Sequence, residues 1–254
     1  MAVLGSGSSG NATFLATERV RLLVDAGLSR KETLRRLAVI GEKLESLDAI
    51  LITHEHSDHV NGLARLASEG RLPVYISPMT RAALPPQIKL PVVESFQAGC
   101  RFVIGDITVE PFTIPHDAVD PVAFRFTAAG VRIAIVTDLG YLPHNVRHYL
   151  GGCHGLILES NHDLEMLRNG PYPWYVKQRV MSRAGHLSNS ALGEFLRSEF
   201  DREARVLVLA HLSQQNNHPE IARLEAAAAL EAQDARETKL AVSSQNEPTE
   251  VFWF

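Results

Sequence analysis

Short runs of apolar, β-branched residues recur along the chain, each bounded by polar or turn residues and each the length of a strand. They fall at 20–24 (VRLLV), 48–52 (DAILI), 74–76 (VYI), 107–114 (ITVEPFTI), 122–126 (VAFRF), 131–136 (VRIAIV), 155–158 (GLIL) and 205–209 (RVLVL). Between them the apolar positions change to a helical spacing. This predicts helices at 29–40 with Ser29 as cap, at 60–68, at 189–200 with Asn189 as cap, and at 219–233 with Pro219 in the first turn. Strands and helices are mixed along the whole length, so an α/β fold with helices over the sheet faces is expected. No linker, repeat or low-complexity tract breaks the pattern, and a single domain over 1–254 is expected.

Composition narrows this picture without changing it. Hydrophobic residues make up 45% and charged residues 21%, as in a soluble globular chain with a full core. No apolar run reaches the roughly 18–20 residues of a membrane helix, and MAVLGSGSSG lacks the basic start and apolar stretch of a signal peptide. Cys100 and Cys153 lie far apart, outside any CxxC spacing. Reduced thiols in a cytoplasm are therefore expected rather than a disulfide framework. The net charge of −4 excludes a surface coated in positive charge but allows a local basic groove for nucleic acid.

The chemistry concentrates first in ITHEHSDH, residues 52–59. His54 and His56 are two apart, so at a strand end their side chains share a face. Asp58 and His59 follow where the chain turns toward the next helix. A strand-to-loop junction lets neighbouring side chains diverge, so these four groups suit two adjacent ions. Imidazole with carboxylate favours zinc, manganese or iron over calcium or magnesium. A polar surface turn with coincidental histidines is the plainer alternative, and HxHxDH after an apolar strand weighs against it. Three further positions share the pattern of an apolar strand ending in a ligand-type residue: His116 (VEPFTIPH), Asp138 (RIAIVTD) and His211 (RVLVLAH). Ligands at strand ends converge on one edge of a sheet, where a site is held rigidly.

HxHxDH at 54–59 followed by His116, Asp138 and His211 resembles the ligand series of the metallo-β-lactamase superfamily. GSGSSGN at 5–11, LVDAG at 23–27, PYPWYVKQR at 171–179, GHLSN at 185–189 and LAHLSQQNN at 209–217 resemble its YycJ/WalJ branch. The resemblance covers essentially the whole chain. It implies a four-layer αββα sandwich of two mixed β-sheets flanked by helices, with a dinuclear centre on the sheet edges. His54, His56 and His116 would hold one ion, Asp58, His59 and His211 the other, and Asp138 would bridge them. Asp25, ending LLVD, matches the superfamily's first-motif aspartate and would orient ligands.

Two divalent ions, zinc or manganese, sharing a carboxylate lower the pKa of a bridging water and neutralise charge on a bound phosphoryl or carbonyl group. Lactams, thioesters and phosphodiesters all suit such a pair. Glu159 and His186 lean toward phosphodiesters: an expelled alkoxide needs a proton, and a carboxylate keeps an imidazole charged to supply it. The pair looks like the Glu and His dyad of tRNase Z. Segment 168–183, RNGPYPWYVKQRVMSR, interleaves Arg168, Lys177, Arg179 and Arg183 with Tyr172, Trp174 and Tyr175 and has no acidic residue, which suits a nucleic-acid strand. Lys177, Arg179, Ser188 and Asn189 are candidate substrate contacts, with Ser9 and Asn11 of the glycine-rich turn as weaker ones. The expectation is a dinuclear phosphodiester hydrolase, an exonuclease on DNA ahead of RNA, with Asp58, Asp138, Glu159 and His186 as catalytic residues. A hydrolase of a small phosphodiester, lactam or thioester is the alternative. A non-catalytic regulatory protein stabilised by metal ranks last. His144, His148, His154 and His218 are read as structural, and His162 is left open.

Overall fold

The computed structural model describes residues 1–254, which gather into two compact units. Unit 1 comprises 1–113, 118–128 and 244–254; unit 2 comprises 114–117 and 129–243.

Unit 1 holds a six-stranded sheet of β1 (Ala2–Gly5), β2 (Ala12–Ala16), β3 (Arg21–Val24), β4 (Ala49–Leu51), β5 (Pro73–Ile76) and β6 (Val92–Ser95), in that order. β1–β3 pair antiparallel and β3–β6 parallel. A second, antiparallel ladder joins β7 (Phe102–Ile104), β8 (Ile107–Thr113) and β9 (Val122–Ala128). Helices α1 (Arg30–Val39), α2 (Ser57–Val60), α3 (Leu63–Gly70) and α4 (Pro78–Ala83) connect the strands. The amphipathic faces of α1 and α3 bury Leu37, Leu63 and Leu66 against Leu4, Phe14, Leu23, Ile50 and Val74 of the sheet. Ser29 caps α1 as expected, accepting from the Glu32 N–H.

The single helix expected at 60–68 is instead two, with Asn61 and Gly62 at the join. At the join the Gly62 N–H leaves the helical ladder and donates to the Ala26 carbonyl at 2.8 Å. A Cβ there would stand 2.1 Å from the Leu28 carbonyl oxygen, so the backbone passes too close for any side chain.

Unit 2 holds four parallel strands in the order β13 (Lys239–Val242), β12 (Val206–Ala210), β11 (Gly155–Glu159), β10 (Val131–Val136). Its helices are α5 (His144–Leu150), α6 (Leu164–Asn169), α7 (Trp174–Val180), α8 (Asn189–Glu199) and α9 (Pro219–Ala232). Every residue of β11 and β12 is buried, which explains why these strands read as continuous apolar runs rather than alternating ones. Pro219 sits in the first turn of α9, as expected.

The cap of α8 is Ser188, not Asn189. Ser188 keeps an extended backbone and its hydroxyl accepts from the Ala191 N–H. Asn189 is the first helical residue and turns inward to Ser160 and Asn217. No helix is long and apolar enough to cross a membrane, and both cysteines are free thiols.

Register decides where the chemistry goes. Val136 lies opposite Leu158 and Glu159 opposite Ala210, so the carboxyl ends of β10, β11 and β12 are level. Asp138, Glu159 and His211 all sit at or just beyond that edge, where open parallel sheets place their ligands.

Candidate metal centre and active site

In unit 1 the apolar strand β4 emerges at Ile52 and Thr53, and His54 follows into the loop that opens α2. His54 and His59 are fully buried, while His56 and Asp58 are half-buried. The His54 ring lies 4.7 Å from that of His56 and 4.0 Å from that of His59, centroid to centroid. Asp25 organises them from β3. Its carboxylate accepts from the Thr53 N–H at 2.9 Å and the Thr53 hydroxyl, and lies 2.8 Å from His59 Nδ1. Thr53 Oγ1 in turn sits 3.0 Å from His54 Nδ1.

Asn11 braces the loop from the other side. Its N–H donates to the Asp58 carbonyl at 2.7 Å, and its Nδ2 lies 3.2 Å from Asp58 Oδ2 and 3.0 Å from His59 Nε2. LVDAG needs its glycine here: a Cβ on Gly27 would stand 1.6 Å from the Asp58 carbonyl oxygen.

In unit 2 Asp138, Glu159, His186 and His211 each offer one donor atom within 4.8 Å of the others. His211 Nδ1 lies 3.0 Å from both Asp138 Oδ1 and Glu159 Oε1. His186 Nδ1 lies 2.7 Å from Glu159 Oε1, and Glu159 Oε2 accepts from the N–H groups of Leu139 and Leu187 at 2.9 and 3.2 Å. His116 Nδ1 faces the Gly185 carbonyl at 3.3 Å. Burial alone would discharge His186, but the Glu159 charge and hydrogen bond outweigh it and raise its pKa above the usual histidine value. Burial also opposes ionisation of Glu159, yet the imidazoles around it hold that carboxyl well below the usual range. Both shifts favour the charged forms of the pair.

Backbone strain marks the same places. Asp25, Asp138 and His211 each take a left-handed φ, of 61°, 64° and 56°. Side-chain-bearing residues rarely adopt it, at a cost of about 1–3 kcal/mol each, and surrounding contacts must hold them there.

The donor set fits divalent metal. In His54, His59 and His116 the Nδ1 nitrogen is engaged by a hydroxyl, a carboxylate and a carbonyl respectively, turning Nε2 to the opposite side. Metal-ligating imidazoles are oriented in this way.

A family model described as the β-lactamase superfamily domain matches residues 20–212. The chain belongs to the metallo-β-lactamase superfamily. Within the superfamily it is similar to the exodeoxyribonuclease WalJ of Streptococcus pneumoniae, 40% identical over 87% of this chain and 84% of that protein. The exodeoxyribonuclease YycJ of Bacillus anthracis is 39% identical over 90% of this chain and 88% of its own. The crystal structure of the metallo-β-lactamase fold protein YhfI from Bacillus subtilis matches with a TM-score of 0.74 over 98% of both chains, at 18% identity. The fold is thus that of the superfamily: two mixed β-sheets flanked by helices.

The candidate substrate residues behave differently from the superfamily's ligand positions. Lys177 is buried and its ammonium donates to the Arg168 carbonyl at 2.7 Å, while Arg179 pairs with Asp117. Ser188 is the α8 cap and Asn189 is bound to Ser160 and Asn217, so both shape the loop after His186. Ser9 is exposed, and its N–H donates to Gln245. Asn11 is engaged by Asp58 and His59 rather than turned outward. His162 is buried, and loss of hydration lowers its pKa to about 4, so it is uncharged at neutral pH. Thr53 and Asn161 were not singled out by sequence. Asn161 donates to the His211 carbonyl at 2.7 Å and so holds that strained residue in place. Their one visible signal is position, each within two residues of a strand end.

Proposed function

We propose that this chain is a metal-dependent exodeoxyribonuclease, hydrolysing phosphodiester bonds from a DNA end in the bacterial cytoplasm. The observation that carries the reading is the Glu159–His186 pair, held at 2.7 Å beside Asp138 and His211. His54, His56 and His116 would bind one ion, Asp58, His59 and His211 the second, and Asp138 both; zinc and manganese suit these donors. When bound, such a pair supplies water activated near neutral pH and positive charge for the phosphate oxygens.

The chain's own residues do the rest. His186 offers a proton through Nε2, the nitrogen away from Glu159, to the departing alkoxide oxygen. Glu159 keeps that imidazole charged and ties it to the N–H groups of Leu139 and Leu187. Asp25 and Asn11 fix His59 and Asp58. A thioester, whose thiolate leaves unprotonated, does not require so dedicated a proton donor. The DNA preference follows WalJ and YycJ, both named exodeoxyribonucleases. The free thiols of Cys100 and Cys153 agree with a reducing compartment.

Metal-loaded protein offered DNA and RNA oligonucleotides, bis-p-nitrophenyl phosphate and nitrocefin tests the reading. Release of nucleotides from DNA is expected, faster than from RNA, with no nitrocefin turnover. Turnover of nitrocefin with no cleavage of either nucleic acid overturns it.

A further inference from the structure

Helix α7 carries two adjacent aromatic residues that lie largely in water: Trp174 is 63% and Tyr175 73% exposed. Met181, just past the helix, is 37% exposed. Two large aromatic groups left side by side in water are the kind of exposed group that contact surfaces carry. The segment around them, 168–183, contains three arginines and a lysine and no acidic residue.

The helix is also rigidly placed. Buried Lys177 ties it to the Arg168 carbonyl, and Gly170 lies so close to Asn216 that a Cβ would stand 2.3 Å from its Oδ1. Its far end is fastened to the catalytic loop: the His186 N–H donates to the Val180 carbonyl at 2.9 Å. A Cβ on Gly185 would stand 2.2 Å from the carbonyl oxygens of Arg179 and Val180, so no side chain fits between helix and loop. At about 1.5 Å per residue, Trp174 lies roughly 9 Å along the helix axis from Val180, which is two to three stacked nucleotides at about 3.4 Å each.

Resting on the nuclease reading above, we infer that Trp174 and Tyr175 form a base-stacking platform for a single-stranded DNA segment whose scissile phosphate lies at His186. Flat aromatic faces beside guanidinium groups bind unpaired bases without regard to sequence, because every base has a face to stack. Of the arginines along the segment, Arg183 stacks over the Tyr141 ring at 4.3 Å, while Arg168 and Arg179 are paired with Glu165 and Asp117. The exposed ring faces, rather than the paired guanidiniums, therefore carry the recognition of unpaired bases. In a duplex those faces are already stacked, so the platform favours an overhang or an unpaired end.

The test uses metal-loaded protein and a fluorescein-labelled, phosphorothioate-linked single strand, which resists cleavage, read by anisotropy. Trp174→Ala with Tyr175→Ala should weaken binding about 5- to 100-fold, given the usual strength of base–aromatic stacking. Trp174→Phe, which keeps a ring, should lose far less. Binding of a blunt duplex and turnover of bis-p-nitrophenyl phosphate should stay at the wild-type level in every variant, the latter showing that the site is intact. Wild-type affinity in the double variant overturns the platform. An equal loss on single strand, duplex and the small diester also overturns it, as a structural effect. If the wild type binds the single strand but cleaves no oligonucleotide, the nuclease reading fails while the platform stands.

Discussion

Asp25 does not belong to the ligand series, yet it decides how the series is presented. Its carboxylate holds both the Thr53 N–H and His59 Nδ1, from a backbone held in the left-handed region. Asp25→Asn should therefore lower metal affinity about 10- to 100-fold, the usual cost of losing such a supporting carboxylate, as read by competition with a chelator. Unchanged affinity would mean that His59 is oriented by other contacts. At the Glu159–His186 pair the prediction concerns pH. The useful form of His186 is protonated, and its raised pKa keeps that form present at higher pH than an ordinary histidine would. Activity should fall on the alkaline side as pH passes the raised value, and Glu159→Gln should move that fall to lower pH. A pH–rate profile checks both. The ligands were legible because HxHxDH packs four donors into one loop and the others each end an apolar strand. Thr53, Asn11 and Asn161 were not legible as supports, since their partners lie 28, 47 and 50 residues away in sequence.

The hydrophobic pattern predicted β3 to β5, β8 to β12, α1, α8 and α9, and part of α3. Among those that escaped it are β6 and β7 and the helices α4 to α7, whose six or seven residues make less than two turns and hold too few apolar positions to show a helical period. The segment carrying Trp174 was among them, so its basic and aromatic character was legible but its helix was not. Close approach of backbones is similarly invisible in a linear pattern. Gly27 illustrates this, with the Asp58 carbonyl occupying the space a Cβ would need. Gly27→Ala must push the HxHxDH loop off β3, and should cost about 3 kcal/mol or more in denaturant unfolding. It should also weaken metal retention. A variant as stable as wild type would contradict this packing.

Over the whole molecule, the ligand series runs from His54 to His211, and the family model spans nearly the same stretch, 20–212. Superfamily membership was therefore legible from the chain alone, because its chemistry is written in residue types. Substrate choice was less so. The net charge of −4 says nothing of DNA, and the basic residues first picked out resolve into a buried lysine and an arginine paired with Asp117. What favours a phosphodiester is the Glu159–His186 pair, which only the fold brings within 2.7 Å. The proposed role of Asp138 and the histidines around it is to hold the metals that cleave DNA. It is tested most directly by following an end-labelled DNA strand with wild-type and Asp138→Ala protein across zinc and manganese. Stepwise shortening by the wild type, abolished by chelator, is expected, with no turnover by Asp138→Ala. Shortening by Asp138→Ala at the wild-type rate, or none by the wild type with either metal, would contradict it.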